Sequence, residues 1–196
     1  MKTKIIFLMI LLMMTGCGNP AVSGHSSDSS VRDHQKESVS ITFDTTHMNT
    51  PASNQYAVWV EDSDGNLIRT IYVSDFTGNR RGYERRKDAL KNWVAKADPQ
   101  NISDAEMNAI SGSTPEDGSH TFAWDLKDND GNMVPAGIYQ IRVEGTLYWS
   151  GNVVYTGFFD TEHPEKKISV SEERSEPDNH TNETMITNVE MKGIGK

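Results

Sequence analysis

The chain has 196 residues, 19 Lys and Arg against 28 Asp and Glu, and a formal net charge of −9. An acidic surface excludes phosphate-directed binding as the main activity, because nucleic acid and anionic lipid are held by Lys and Arg. The one cysteine, Cys17, excludes an intrachain disulfide and any cysteine-based metal site.

The N-terminus carries Lys2 and Lys4 ahead of an apolar run from Ile5 to Met14. That run has the size of a signal-peptide core and is too short to span a bilayer as a helix. It ends in Leu12-Met13-Met14-Thr15-Gly16-Cys17. The ending resembles a bacterial lipobox, with Met14 where Leu is more usual. The resemblance implies a lipoprotein signal peptide over 1–16 and lipidation of Cys17 as a diacylglycerol thioether. One acyl chain anchors only marginally, at about 0.8 kcal/mol per buried methylene, so two or three chains would fix the protein to a membrane. Residues 17–37 are rich in Ser and poor in large apolar side chains, and they read as a lipid-anchored flexible tether. Twenty such residues reach about 25 Å. The expected location is extracytoplasmic, on the periplasmic side or at the cell surface.

The remainder suits one domain over 38–160 and a polar segment over 161–196. Val39, Ile41 and Phe43 alternate with Ser40 and Thr42, as in a half-buried strand. Tyr56 to Val60 is apolar throughout, as a central strand would be, and Leu67 to Val73 follows it. Between them, Asp62-Ser63-Asp64-Gly65-Asn66 reads as a hairpin turn. Glu84 to Ala97 places Ala89, Leu90, Trp93, Val94 and Ala97 at helical spacing, which predicts one helix stopped by Pro99. The cluster Arg80, Arg81, Arg85, Arg86 and Lys87 reads as a solvated helix face. A second helix is expected over Asp104 to Ile110, opened by the capping box Ser103-Asp104-Ala105-Glu106. The helical insertion then occupies about 83–111.

Thr121 to Asp125 reads as a strand, and Asp128 to Asn132 as a second hairpin turn of the first kind. In Ile138 to Val143, Tyr139, Ile141 and Val143 lie on the opposite face from Gln140 and Arg142. Val153 to Tyr155 and Phe158-Phe159 suggest another strand. Residues 161–183 read as loop, and Met185 to Ile194 as a last strand. Many short strands with Gly and Asp turns predict a mainly β fold, an antiparallel Ig-like β-sandwich with a short helical insertion.

The two Asp-x-Asp-Gly-Asn turns lack the ligand count and spacing of a calcium loop, so no metal site is expected. The six histidines are scattered at 25, 34, 47, 120, 163 and 180. No nucleophile elbow, phosphate-binding glycine loop or acid–base pair is visible. These observations point to a non-enzymatic binding or accessory module, or to a structural or adhesion domain of the same fold.

The run Phe122-Ala123-Trp124-Asp125, the turn at 128–132 and Val134-Pro135-Ala136-Gly137-Ile138-Tyr139 resemble the Ig-like domain of flagellar hook-capping proteins. That resemblance concerns fold alone. Tyr56 to Asp62 with Gly65, Leu90 to Trp93, and Ile110 to Thr114 together resemble a family of predicted periplasmic proteins of unknown function. Its members often accompany membrane-bound flavin and haem redox components, which implies a protein partner in the cell envelope.

Residues 108–114, Asn-Ala-Ile-Ser-Gly-Ser-Thr, admit two readings. The stretch is similar to the Asp-x-x-Ser-Gly-Ala-Thr motif of FMN-transferase substrates. By that resemblance FMN joins the Thr114 hydroxyl through a phosphoester, and Ser111 and Gly112 complete the acceptor. Asn108 stands where the motif has an acid, and Ser113 where it has alanine. The other reading needs no cofactor: a capped helix that stops at a left-handed Gly112, with Pro115 shortly after.

Overall fold

A computed structural model describes residues 37–47, 54–147, 151–175 and 185–195. The expected signal peptide, Cys17 and all of the tether but Glu37 lie outside the described residues. The strands are β1 (Ser38–Thr45), β2 (Gln55–Glu61), β3 (Leu67–Ser74), β4 (Ser111–Gly112), β5 (Gly118–Trp124), β6 (Ile138–Leu147), β7 (Gly151–Asp160), β8 (Val170–Ser175) and β9 (Ile186–Ile194). They form a three-stranded sheet ordered β5-β1-β9 and a six-stranded sheet ordered β4-β3-β2-β6-β7-β8. All pairings between strands are antiparallel except β3 with β4. The mainly β sandwich expected from the alternation is present.

The alternation also explains the layering. In β1, Val39, Ile41 and Phe43 are fully buried and point at the larger sheet. Strand β2 is buried at every residue, because both faces of its sheet are covered. Tyr56, Val58 and Val60 enter the core between the sheets, whereas Ala57 and Trp59 enter a second core beneath the helical segment. Strand β6 divides as predicted, with Tyr139, Ile141 and Val143 in the first core. Trp124 meets Tyr139 and Phe159 edge-on in that core, at 5.2 and 6.2 Å between ring centroids. The Tyr139 hydroxyl donates to the Pro135 carbonyl at 2.7 Å, fixing the Pro-Ala-Gly approach to β6.

Four expectations are corrected. The helix over 84–97 is broken into α1 (Gly82–Arg85) and α2 (Lys91–Ala97), with Leu90 left-handed at φ 50°. The cause is tertiary: the Leu90 amide donates to Thr146 Oγ1 at 2.7 Å, and Glu144 of β6 receives the first amides of α2. The turn at 128–132 closes only a minimal hairpin, with Asp128 N donating to the Asn132 carbonyl at 2.9 Å, and does not pair β5 with β6, which belong to different sheets. It lies within a crossover between the sheets, with Lys127 and Met133 forming an isolated bridge. Residues 161–183 are not all loop, because β8 adds to β7 as an edge strand. Its sequence Val-Ser-Glu-Glu-Arg-Ser has no apolar face to announce it.

Gly112 is the fourth. Ser111 caps the helix α3 (Asp104–Ile110) with extended backbone, φ −91° and ψ 141°, and the chain runs straight into β4 rather than through a left-handed stop. The helix start is as predicted: Glu106 N donates to Ser103 Oγ at 3.3 Å and Ser103 N to Glu106 Oε2 at 3.1 Å.

The two Asp/Gly turns share one construction. Asp62 accepts from the amides of Asp64 and Asn66, and Asp128 accepts from the amide of Asn132 at 2.8 Å. Gly65 and Gly131 stand at φ 81° and 83°, a conformation that favours glycine. Both carboxylates are thus committed to their own backbone, and both are held below the usual carboxylate range, Asp62 first by the Asn66 side chain and Asp128 first by the Asn132 amide.

Candidate functional site: the corner after helix α3

The stretch that admitted two readings forms a built corner. Ser111 and Gly112 pair in parallel with Val73 and Ser74, and the Asp75 amide donates to the Gly112 carbonyl at 2.7 Å. Tyr72 reaches over from β3, and its hydroxyl donates to the Ser113 carbonyl at 2.6 Å. The Tyr72 ring lies 4.9 Å from that of Phe122, which stacks on Phe43 at 5.6 Å. A Cβ on Gly112 would stand 2.9 Å from Tyr72 Cε2. Glycine is therefore required by the tyrosine, not by the backbone angle. Burial pushes the Tyr72 hydroxyl up from its ordinary value, which keeps it a donor.

The next residues are strapped to the smaller sheet. Pro115 is buried. Thr45 Oγ1 donates to the Glu116 carbonyl at 2.5 Å, and a ring nitrogen of His120 lies 2.7 Å from the same oxygen. Asp117 accepts from the His47 amide at 2.5 Å, with His47 Nδ1 2.9 Å from the same carboxylate oxygen. The amide bond, then the ring, hold the Asp117 carboxyl below its ordinary range.

The three residues singled out in the sequence lie together here but differ in what they present. Ser111 Oγ is buried without a hydrogen-bond partner, and a Cβ on Gly78 would come within 2.4 Å of it. Gly112 faces Tyr72. Thr114 is half-buried, and none of the described residues engages its hydroxyl. Ser113 and Asn108 are exposed. Beside the corner, a cavity of about 350 Å³ opens between α3 and β3, lined by Thr70, Ile71, Ile102, Glu106, Ala109 and Ile110.

Sequence reasoning missed two buried carboxylates. Glu144 is fully buried and accepts from Asn92 N at 3.2 Å, Trp93 N at 2.8 Å and Asn152 Nδ2 at 2.5 Å. Leu90, the N-cap residue of α2, makes no side-chain cap bond, and the Glu144 carboxylate takes that role from another element. Glu61 accepts from Trp59 Nε1 at 2.7 Å, with Lys96 and Arg142 each 3.9 Å away. The only sequence signal for either is an acid inside or ending an apolar strand. Three of the five basic residues pair locally: Arg80 with Asp75 at 2.6 Å, Arg81 with Glu84 at 2.5 Å and Arg86 with Asp88 at 3.6 Å. Among the described residues no group of three or more His, Cys, Asp and Glu side chains could hold a metal ion, and no helix is long and apolar enough to cross a membrane.

No curated protein and no solved structure matches the chain. One family model does, over residues 36–175, which includes both sheets as far as β8, the helical segment and the corner. By that match the chain belongs to the DUF2271 family of predicted periplasmic proteins.

Proposed function

We propose that the chain is a non-enzymatic module, anchored by lipid at Cys17, which presents the Asn108–Thr114 corner to a protein partner in the cell envelope, beside a membrane flavin or haem redox system. The observation that carries this reading is the corner's construction. A short, partly exposed segment is clamped by Tyr72 at Ser113, and the residues just after it, Glu116 and Asp117, are strapped by Thr45, His47 and His120. Loops placed on a rigid scaffold are where recognition concentrates. Such an arrangement lowers the ordering cost of docking. Two experiments divide the reading. Cys17→Ser moves the protein from the membrane fraction to the soluble one if the anchor is lipid; retention in the membrane removes that part. Crosslinking from position 113 in cells yields a discrete adduct with an envelope protein; its absence removes the docking part.

The unengaged hydroxyl of half-buried Thr114 favours a second reading, a carrier with FMN on Thr114. The corner fits this group in one respect, since the acceptor oxygen is unengaged and its flanking backbone is held. Bound there, FMN would supply one- and two-electron transfer, with Tyr72 and Gly112 fixing the attachment strand. Co-expression with an FMN transferase gives a mass gain that Thr114→Ala abolishes and Asn108→Asp increases. No gain, or a gain that survives Thr114→Ala, ends this reading.

A further inference from the structure

Strand β9 ends the smaller sheet and pairs with β1 alone; among the described residues nothing pairs with its other edge. A strand edge offers alternating N–H and C=O groups at fixed spacing, so the ligand that matches it is another extended chain. Beside Val189–Gly193 runs a groove of about 650 Å³, whose far wall is the 164–170 segment. Its inner side is sealed. Ile168 and Met191 are buried and fill the space over Gly157, where a Cβ would meet them at 2.7 and 2.4 Å. At Gly193 the wall closes in, since a Cβ there would stand 2.2 Å from the Pro164 carbonyl oxygen, and what stays open is room along the outer side of the strand.

The residues of β9 say which strand. Glu190 and Lys192 are exposed on the outer face, and Met191 between them points inward. Two copies paired antiparallel about a two-fold axis through Met191 would set Glu190 of each opposite Lys192 of the other, and Val189 opposite Gly193. Opposite charges directly across an antiparallel pair stabilise it, and like charges destabilise it. An isologous interface needs this self-complementarity. The other charged edge fails the same test. Pairing β8 with itself about Glu173 would match Glu172 with Arg174 but force Glu173 against Glu173. In a single copy Lys192 Nζ lies 2.6 Å from Glu190 on the exposed face, an intrachain pair that the two pairs across the axis would replace.

We propose that β9 is a dimerisation edge, at which a second copy of this chain adds antiparallel about Met191 to make one continuous six-stranded sheet. This is independent of the corner and of its partner. The test is native mass spectrometry of the full chain, from detergent, across micromolar concentrations. The wild type gives a concentration-dependent dimer. Glu190→Lys and Lys192→Glu each associate about tenfold more weakly, because each opposes like charges twice across the axis. An equimolar mixture of the two variants restores a dimer that contains one of each, and the double swap Glu190→Lys with Lys192→Glu restores it alone. The mixture and the double swap separate lost pairing from lost folding. A monomer at every concentration, or variants that associate like the wild type, or no recovery in both rescue arms, overturns the proposal and leaves Lys192 as a charge that guards an edge.

Discussion

At the scale of single residues, the account turns on Gly112, Tyr72 and Glu144. Gly112→Ala drives a methyl against Tyr72 Cε2, at 2.9 Å before relaxation. Overpacking of this kind costs about 1–3 kcal/mol, and chemical denaturation should show a loss of that size. Gly112→Ala in a Tyr72→Ala background should cost less than the same change in the wild type, because the clash is gone. Equal costs in both backgrounds would show that the glycine serves something other than the ring. Glu144→Ala leaves the part-buried Asn92 amide and the buried Trp93 amide without an acceptor. The expected loss is about 3 kcal/mol, with Glu144→Gln milder because one oxygen remains. If Glu144→Ala unfolds at the wild-type midpoint, the carboxylate is not the cap.

These residues also mark where the sequence was silent. A Gly after a capped helix is commonly a left-handed stop, and that expectation used only local grammar. The tyrosine that demands Gly112 lies forty residues away on another strand. Glu144 shows the same limit. An acid in a β pattern reads as a solvent-facing residue until the helix it caps is placed beside it.

At the scale of elements, what was legible depended on which face an element buries. Strands β1, β2 and β6 announce themselves, because each needs an apolar alternation or run to fill a core. Helix α3 was legible to its ends, since its cap is made from its own residues, Ser103 and Glu106. Helix α2 was not. Its periodicity continues backwards through Ala89 and Leu90, but its start is set by Glu144 and Thr146 from β6. Strand β8 was illegible for the opposite reason, as an edge strand built of polar residues. The strap over residues 113–118 carries a pH prediction of its own. Asp117 is depressed in the folded state, so its contribution is present above the unfolded carboxylate value of about 3.9 and is lost as pH falls through the lower folded value. Hydrogen exchange at the His47 amide, normalised for intrinsic rate, should therefore rise on acidification below that range. Asp117→Asn should show the faster exchange at neutral pH. Protection of that amide that does not change with pH or with the substitution would mean that the strap is held by Thr45 and His120 alone.

At the scale of the whole molecule, the chain is a sandwich with a third layer. The six-stranded sheet buries one face against the smaller sheet and the other beneath α2 and its neighbours. The two cores meet only through that sheet, and β2 serves both. Trp59 and Trp124 are each fully buried, in different cores. Replacing either by Ala should cost about 3–5 kcal/mol in global stability. The extracytoplasmic setting follows from family membership. The proposed docking role does not follow from the fold, which hosts many functions. It rests on one edge of the molecule, where the helical layer hands the chain back to the sheets and exposes Asn108, Ser113 and part of Thr114. The measurement that tests this most directly is site-specific photocrosslinking in cells, with the probe at Ser113 and, as a control, at exposed Glu173 of β8, at the opposite edge of the six-stranded sheet from β4. The account predicts one discrete adduct with an envelope protein from position 113 and none from position 173. Equal labelling from both positions, or no adduct from 113, would contradict it.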